Sequence, residues 1–243
     1  MESPIAWATP SPELTLGNND VHLWRASLDC EEAVLRRLET SLSAEEKSRA
    51  AKFVFAADRD HFIAARGILR ELLAKYLHDS ASAVKITYGR HGKPTLSSSD
   101  LDCSLHFNLS HSRGLAVYAF SMRREVGIDL EPIRSDFATE DIAERFFSPA
   151  EIKELASLPA PLKAKGFFQC WTRKEAYIKA RGEGLQIPLD SFSVALTPGE
   201  PEQLRSADSA RWSLRAFQPA EGYAGAVVGE GKGWELRYWQ WKP

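Results

Sequence analysis

Residues 125–133 read Glu-Val-Gly-Ile-Asp-Leu-Glu-Pro-Ile. The stretch has a period of two. Val126, Ile128 and Leu130 fall on one face of a strand; Gly127, Asp129 and Glu131 fall on the other. At a rise of about 3.3 Å per residue the two carboxylates lie roughly 7 Å apart and point the same way. Gly127 leaves open space beside them for a ligand, and Pro132 ends the strand. Taken alone, the pattern is most often a half-buried strand with a solvated acidic face. What the rest of the chain brings to that face decides whether it is more.

Immediately upstream, Leu115–Ser121 is an apolar strand joined to this one through Met122-Arg-Arg-Glu125, which predicts a hairpin. Before it, Leu105-His-Phe-Asn-Leu-Ser-His-Ser-Arg-Gly114 alternates and predicts a strand ending in a Ser-His-Ser turn. Ser110 and His111 there suit an anion as hydrogen-bond donors. A Ser–His catalytic dyad ranks below that reading, because adjacent residues on a strand end point apart and no Gly-x-Ser-x-Gly frames the serine. Val84–Tyr88 is a short strand, followed by Gly89-Arg-His-Gly-Lys-Pro-Thr-Leu96. Its glycines allow a tight turn, and Pro94 stiffens a loop that presents Lys93.

Nearer the start, Val21–Ser27 alternates as a strand, and Leu28–Leu42 holds one short helix. Ser43 with Glu46 three residues on predicts a capping box, on a helix carrying Lys47, Arg49 and Lys52. A second helix spans about Asp60–Leu77, with Arg66 and Arg70 on one side. In isolation such basic sets are usually solvated helix faces.

Downstream, Asp141–Phe147 gives a helical piece. Ser148, Pro149 and Glu151 then start another helix, which Pro159 and Pro161 end. Leu162–Arg181 spans five turns and Gly182 caps it. Phe168, Trp171, Thr172, Glu175 and Ile178 share a stripe, so Glu175 lies among apolar neighbours, where a carboxylate is costly unless paired. Lys179 lies one turn further on; a plain i,i+4 surface pair is the competing explanation. Phe192–Leu196, Trp212–Phe217, Tyr223–Val228 and Trp234–Trp241 read as the strands of a closing meander.

With 243 residues, 44% hydrophobic and 26% charged, the chain has enough apolar content for one large domain or two small ones. A net charge of −2 argues against a general nucleic-acid binder. Cys30, Cys103 and Cys170 are far apart and show no zinc spacing. No run is long and apolar enough to cross a membrane, and the start lacks a signal-peptide pattern, so a cytoplasmic protein is expected.

The carboxylates Asp129, Glu131 and Glu175 form a hard, all-oxygen set suited to Mg²⁺. Lys47, Arg49, Lys52, Arg66, Lys93, His111 and Lys179 suit a polyanion. Together they fit a metal-dependent reaction on a phosphate or pyrophosphate compound. A Mg²⁺-dependent nucleotide pyrophosphate hydrolase and a non-catalytic nucleotide-binding module share most of these features.

Five segments in order resemble the 4′-phosphopantetheinyl transferases, in the larger, surfactin-synthetase-type branch. They are Gly92-Lys-Pro94, Phe107-Asn-Leu-Ser-His-Ser112, Gly127-Ile-Asp-Leu-Glu131, Arg145-Phe-Phe-Ser148 and Trp171-Thr-Arg-Lys-Glu-Ala-Tyr-Ile-Lys179. The resemblance implies an α+β fold of two pseudo-symmetric α/β subdomains, with the active site in the cleft between them. The expected division is a flexible arm (1–19), a coenzyme A-binding half (20–121) and a half with the carboxylates (122–243). It implies transfer of the phosphopantetheine arm of coenzyme A to a serine of an apo acyl or peptidyl carrier protein, by a monomer. Fatty-acid, polyketide and nonribosomal-peptide carriers all stay open.

In that pattern Asp129, Glu131 and Glu175 hold Mg²⁺, with Glu175 the base and Lys179 on the pyrophosphate. Ser110 and His111 meet coenzyme phosphates, and Lys93 and Pro94 line the adenine side. Arg49, Lys52 and Arg66 serve the 3′-phosphate. Glu46 and His61 depart from the pattern, standing where a lysine and an arginine can occur. Glu151 belongs to the pattern without an assigned role.

Overall fold

Period-two strands and two capping boxes produce one run of elements twice. The computed structural model of the chain describes residues 5–11, 14–97, 104–136 and 139–243. Cys103, most of the polar loop expected at Ser97–Asp102, and residues 1–4 and 12–13 of the expected arm lie outside them. The first run is β1 (Asp20–Ser27), α1 (Glu32–Thr40), α2 (Ala44–Ala50), α3 (Ala56–Leu77), short β2 (Ile86–Tyr88) and β3 (Pro94–Leu96), then β4 (Leu105–Ser112) and β5 (Leu115–Met122). The second is β6 (Val126–Pro132), α4 (Thr139–Phe146), α5 (Pro149–Ser157), α6 (Ala160–Arg181), short β7 (Ser193–Val194) and β8 (Leu204–Arg205), then β9 (Trp212–Phe217) and β10 (Tyr223–Glu230). A last strand, β11 (Glu235–Gln240), has no counterpart in the first run.

The strand orders repeat too. β1-β5-β4 is antiparallel, and so is β6-β10-β9. The fold is therefore α+β with two like halves. Alternation splits each central strand between two cores. Ala116, Tyr118 and Phe120 of β5 face Leu69, Leu72 and Leu73 of α3. Val117 and Ala119, with Val21 and Leu23 of β1, meet Val126, Ile128, Leu130 and Val227 of the other sheet. Ala224, Ala226 and Val228 of β10 face Tyr177 and Ile178 of α6. The layers run α3, sheet, sheet, α6. Each fully buried large apolar side chain contributes on the order of 1.5–3 kcal/mol relative to exposure.

The capping boxes form and are locked to the long helices. Ser43 Oγ accepts from the Glu46 amide (3.2 Å), and Glu46 Oε2 accepts from the Ser43 amide (3.0 Å) and from Arg70 Nε (2.7 Å). Glu151 Oε2 accepts from the Ser148 amide (2.7 Å) and pairs with Lys174 Nζ (2.8 Å). Arg70 and Lys174 stand at the same place, fourteen residues past the first residue of α3 and α6.

Three expectations change. β5 and β6 do not form a hairpin: β6 leaves for the second sheet, the chain crossing at Arg123 in left-handed backbone (φ 59°). The hairpin is β4–β5, whose two-residue turn has Arg113 and Gly114 both at positive φ. Ser110 and His111 thus lie on β4, not in a turn. Nor is the end of the chain a meander, since β11 returns to pair parallel with β1. Along β11, Ala8 bridges Trp239, and Trp7 packs edge-on against Phe217 and Tyr238.

Candidate active site

Asp129 lies where α6 crosses β6. Gly127 brings them together: a Cβ there would lie 2.2 Å from both the Ala176 carbonyl and the Ala180 amide. The space expected beside the carboxylates for a ligand is filled by helix backbone. That approach sets Lys179 Nζ 2.7 Å from Asp129 Oδ1, an acid only 4% exposed. Ser110 Oγ donates to the same oxygen (2.7 Å) and accepts from Lys179 (3.1 Å). Beside it, Ser112 Oγ donates to Glu131 Oε2 (2.8 Å). On the same edge the Ile128 amide donates to Asn108 Oδ1 (2.9 Å). These three bridges run in the same order along both strands, so β4 lies beside β6 in parallel and is held by side chains.

Glu175 lies half-buried within electrostatic reach of this group. Burial raises its pKa, Asp129 and Glu131 raise it further, Lys179 opposes them, and the result is about 6. Among the described residues no protein group donates a hydrogen bond to it. Glu131 is also raised, first by burial, then by Asp129, against Ser112, Lys179 and Arg134. Asp129, Glu131, Glu175 and Lys179 thus lie within electrostatic reach of one another.

Among the basic residues, His111 lies within electrostatic reach of Lys179, His61 and Arg66. His111 is exposed but crowded; lost hydration lowers its pKa, and the charges of Lys179, His61 and Arg66 lower it further. Arg66 is buried. One terminal guanidinium nitrogen donates to the Tyr88 hydroxyl, and the other, Nη1, is buried without a partner among the described residues. Arg49 is exposed and stacks on Phe62, whose ring Arg66 also approaches, and Lys52 is exposed nearby in sequence. The Lys93 ammonium donates to Glu125 Oε2, the Val126 carbonyl and the Ala180 carbonyl.

The two departures from the family pattern have structural reasons. Glu46 faces Arg70 inside the first half rather than any ligand. His61 Nε2 pairs with Asp29 Oδ1 at 2.8 Å. Glu151 has a structural role: with Lys174 it forms an ion pair that is essentially unexposed, and Lys174 also donates to the Leu189 and Phe192 carbonyls (2.6 and 2.7 Å).

Sequence reasoning missed Ser112, Asn108 and Tyr88. Ser112 was findable, being two residues past Ser110 on one strand face. Tyr88 was not, because its contact to Arg66 depends on how the β2–β3 ribbon folds against α3.

Whether this set fits a hard cation is tested by what its oxygens do. As they stand, no three Asp, Glu, His or Cys side chains among the described residues converge to hold a metal ion. Yet Asp129 Oδ2 is buried with no partner among the described residues, and the other acids of the group, Glu131 and Glu175, offer only oxygen. An orphaned acid oxygen in an oxygen-only set fits Mg²⁺.

A model of the 4′-phosphopantetheinyl transferase superfamily matches residues 125–228, and one of the 4′-phosphopantetheinyl transferase N-terminal region matches residues 24–123. The chain is similar to 4′-phosphopantetheinyl transferase HetI of Nostoc sp., 43% identical over 235 residues, covering 97% of this chain and 98% of that one. It is 36% identical over 181 residues to 4′-phosphopantetheinyl transferase psf-1 of Bacillus pumilus, covering 72% of each. To 4′-phosphopantetheinyl transferase Sfp of Bacillus subtilis it is 29% identical over 192 residues, 79% of this chain and 83% of that one.

Proposed function

The chain belongs to the 4′-phosphopantetheinyl transferase superfamily, and on that premise we propose how its site works. The protein moves the phosphopantetheine arm of coenzyme A onto a serine of a carrier protein and releases adenosine 3′,5′-bisphosphate. In the proposed step the carrier serine gives its hydroxyl proton to Glu175. Its oxygen bonds to the β-phosphorus of coenzyme A. The bond from that phosphorus to the bridging oxygen breaks, and the electron pair leaves with the nucleotide. Lys179, anchored on Asp129, donates to the leaving phosphate.

The observation that carries this reading is Glu175 itself. It is a half-buried carboxylate with no donor among the described residues and a pKa pushed to about 6. Its unpaired oxygens are open to a hydroxyl proton, as a positioned general base requires. Asp129, Glu131 and Glu175 would hold Mg²⁺, which neutralises charge building on the pyrophosphate. The orphaned Asp129 Oδ2 supports that assignment. Arg49, Lys52, Arg66 and His111 face the coenzyme in this proposal, with Pro94 at the adenine side and Ser110 acting through Lys179 and Asp129. It extends to a monomer with halves at 20–121 and 122–243, working in the cytoplasm. Among the described residues no helix is long and apolar enough to cross a membrane.

The test is mass spectrometry of a panel of apo carriers incubated with coenzyme A and Mg²⁺. A gain of roughly 340 Da on the carrier serine is expected, a covalent modification, and Glu175→Gln is expected to abolish it. Release of adenosine bisphosphate without any acceptor would favour a hydrolase instead.

A further inference from the structure

The three hydrogens of the Lys93 ammonium end on three different backbone or side-chain acceptors: Glu125 Oε2 at 2.7 Å, the Val126 carbonyl at 3.2 Å and the Ala180 carbonyl at 3.1 Å. Its side chain is 13% exposed. An ammonium has three donors and no acceptor, so none is left for a phosphate or a base. The acceptors are informative. Ala180 lies in the last turn of α6, where carbonyls lack helical partners and a cation is favoured by the helix dipole. Val126 begins β6. Gly182, the left-handed cap of α6, packs on the lysine stem: a Cβ there would lie 3.4 Å from Lys93 Cδ. Glu125 is itself fixed, its second oxygen 3.1 Å from His106 Nδ1. Burial alone would raise Glu125; the bonds from His106 and Lys93 outweigh it and bring its pKa to about 2, so the acid stays charged.

Lys93 therefore ties the β2–β3 ribbon to two elements at chosen points. Ala180 is the neighbour of Lys179, and Val126 lies three residues before Asp129. The contact that defines the candidate site, Lys179 Nζ to Asp129 Oδ1, spans the same α6–β6 seam one step away. We propose that Lys93 is a positioning residue for phosphopantetheine transfer: it clamps the end of α6 to the start of β6 and thereby sets Lys179 and Glu175 over Asp129. The inference rests on the transferase reading and changes the role of this lysine within it, from coenzyme contact to clamp.

A double-mutant cycle tests it. Lys93→Met, Glu125→Gln and the double variant are compared with the parent for transfer to an apo carrier and for binding of adenosine 3′,5′-bisphosphate by calorimetry. A clamp lowers kcat about tenfold or more in Lys93→Met, because small misplacements of reacting groups are expensive. It leaves the affinity for the bisphosphate within about twofold, and the double variant is no worse than Lys93→Met, since the two residues act as one unit. Affinity for the bisphosphate falling about tenfold with kcat kept, or additive losses in kcat, would overturn the proposal. If Lys93→Met does not fold, Glu125→Gln decides alone: lowered kcat with unchanged bisphosphate affinity supports the clamp, and parental kcat refutes it. A parent enzyme that leaves every apo carrier unmodified would sink the transferase reading, and this inference with it.

Discussion

The two halves share a scaffold and differ in what lies between sheet and long helix. Under α3, the β1 face presents His22, Trp24 and Ala26, all buried. Trp24 Nε1 donates to the Tyr76 hydroxyl of α3 (2.8 Å), and His22 Nδ1 meets the same oxygen (2.8 Å). Under α6, the β6 face presents Gly127, Asp129 and Glu131, and α6 answers with Lys179 and Glu175. In the first half the layer is closed by aromatic rings. In the second a glycine draws the helix in, and carboxylates with one lysine take the place of the rings. The same locks hold both helices, Arg70 on Glu46 and Lys174 on Glu151. The scaffold is thus independent of the site, and chemistry is confined to where polar groups replace core.

The largest effect expected from this contrast is on transfer alone. Glu175→Gln or Asp129→Asn should lower kcat by about 10²–10⁴-fold, the usual worth of a positioned acid–base group. In Glu175→Gln the melting temperature should stay level or rise, since that change removes an unfavourably buried charge. A parallel loss of stability would show that the acids are structural, like their counterparts on β1. Chelation of Mg²⁺ should abolish carrier labelling in the parent as well, read by the same mass shift.

Next come the two locks. Lys174→Met strands Glu151 in the core, and Arg70→Met strands Glu46. Each should cost about 3–5 kcal/mol in chemical denaturation, because a lone buried charge is left behind. Clearly unequal costs would break the equivalence of the halves.

A smaller effect separates the halves by pH. Burial holds His22 down to about 4 from 6.5, against the pull of Asp20. A lowered histidine pKa contributes stability that is fully present above 6.5 and lost as pH falls through 4. The loss across that window is on the order of 3 kcal/mol. Denaturation midpoints followed from pH 7 to 4 should therefore fall less steeply in His22→Gln than in the parent.

The smallest effect concerns the exposed cations. Arg49→Ala should raise KM for coenzyme A several-fold with kcat unchanged, since an exposed charge adds roughly 1 kcal/mol or less. A change in kcat instead would place Arg49 at the reacting phosphorus.

Much of this was readable in the chain. Both capping boxes follow from a Ser and a Glu three residues apart, a local rule that tertiary packing did not override. The acid pair on β6 and the out-of-place Glu175 follow from strand and helix periodicity, which fixes which side chains share a face. The partner of β6 did not follow, because strand pairing is a contact distant in sequence. Val126 and Ile128 are equally well buried beside β5 or stacked across from it. The return of β11 to β1 was hidden for the same reason.

What the sequence by itself determined is which residues are candidates: local geometry is dictated by neighbours within a turn or two, so motifs and faces can be read directly. Tertiary structure alone decided what each candidate does. It filled the space beside Gly127 with α6, gave Lys179 to Asp129, and bonded Lys93 to Glu125 and Glu151 to Lys174. A charged side chain's role depends on which opposite charge lies within about 3 Å of it, and that is set by elements far apart in the chain.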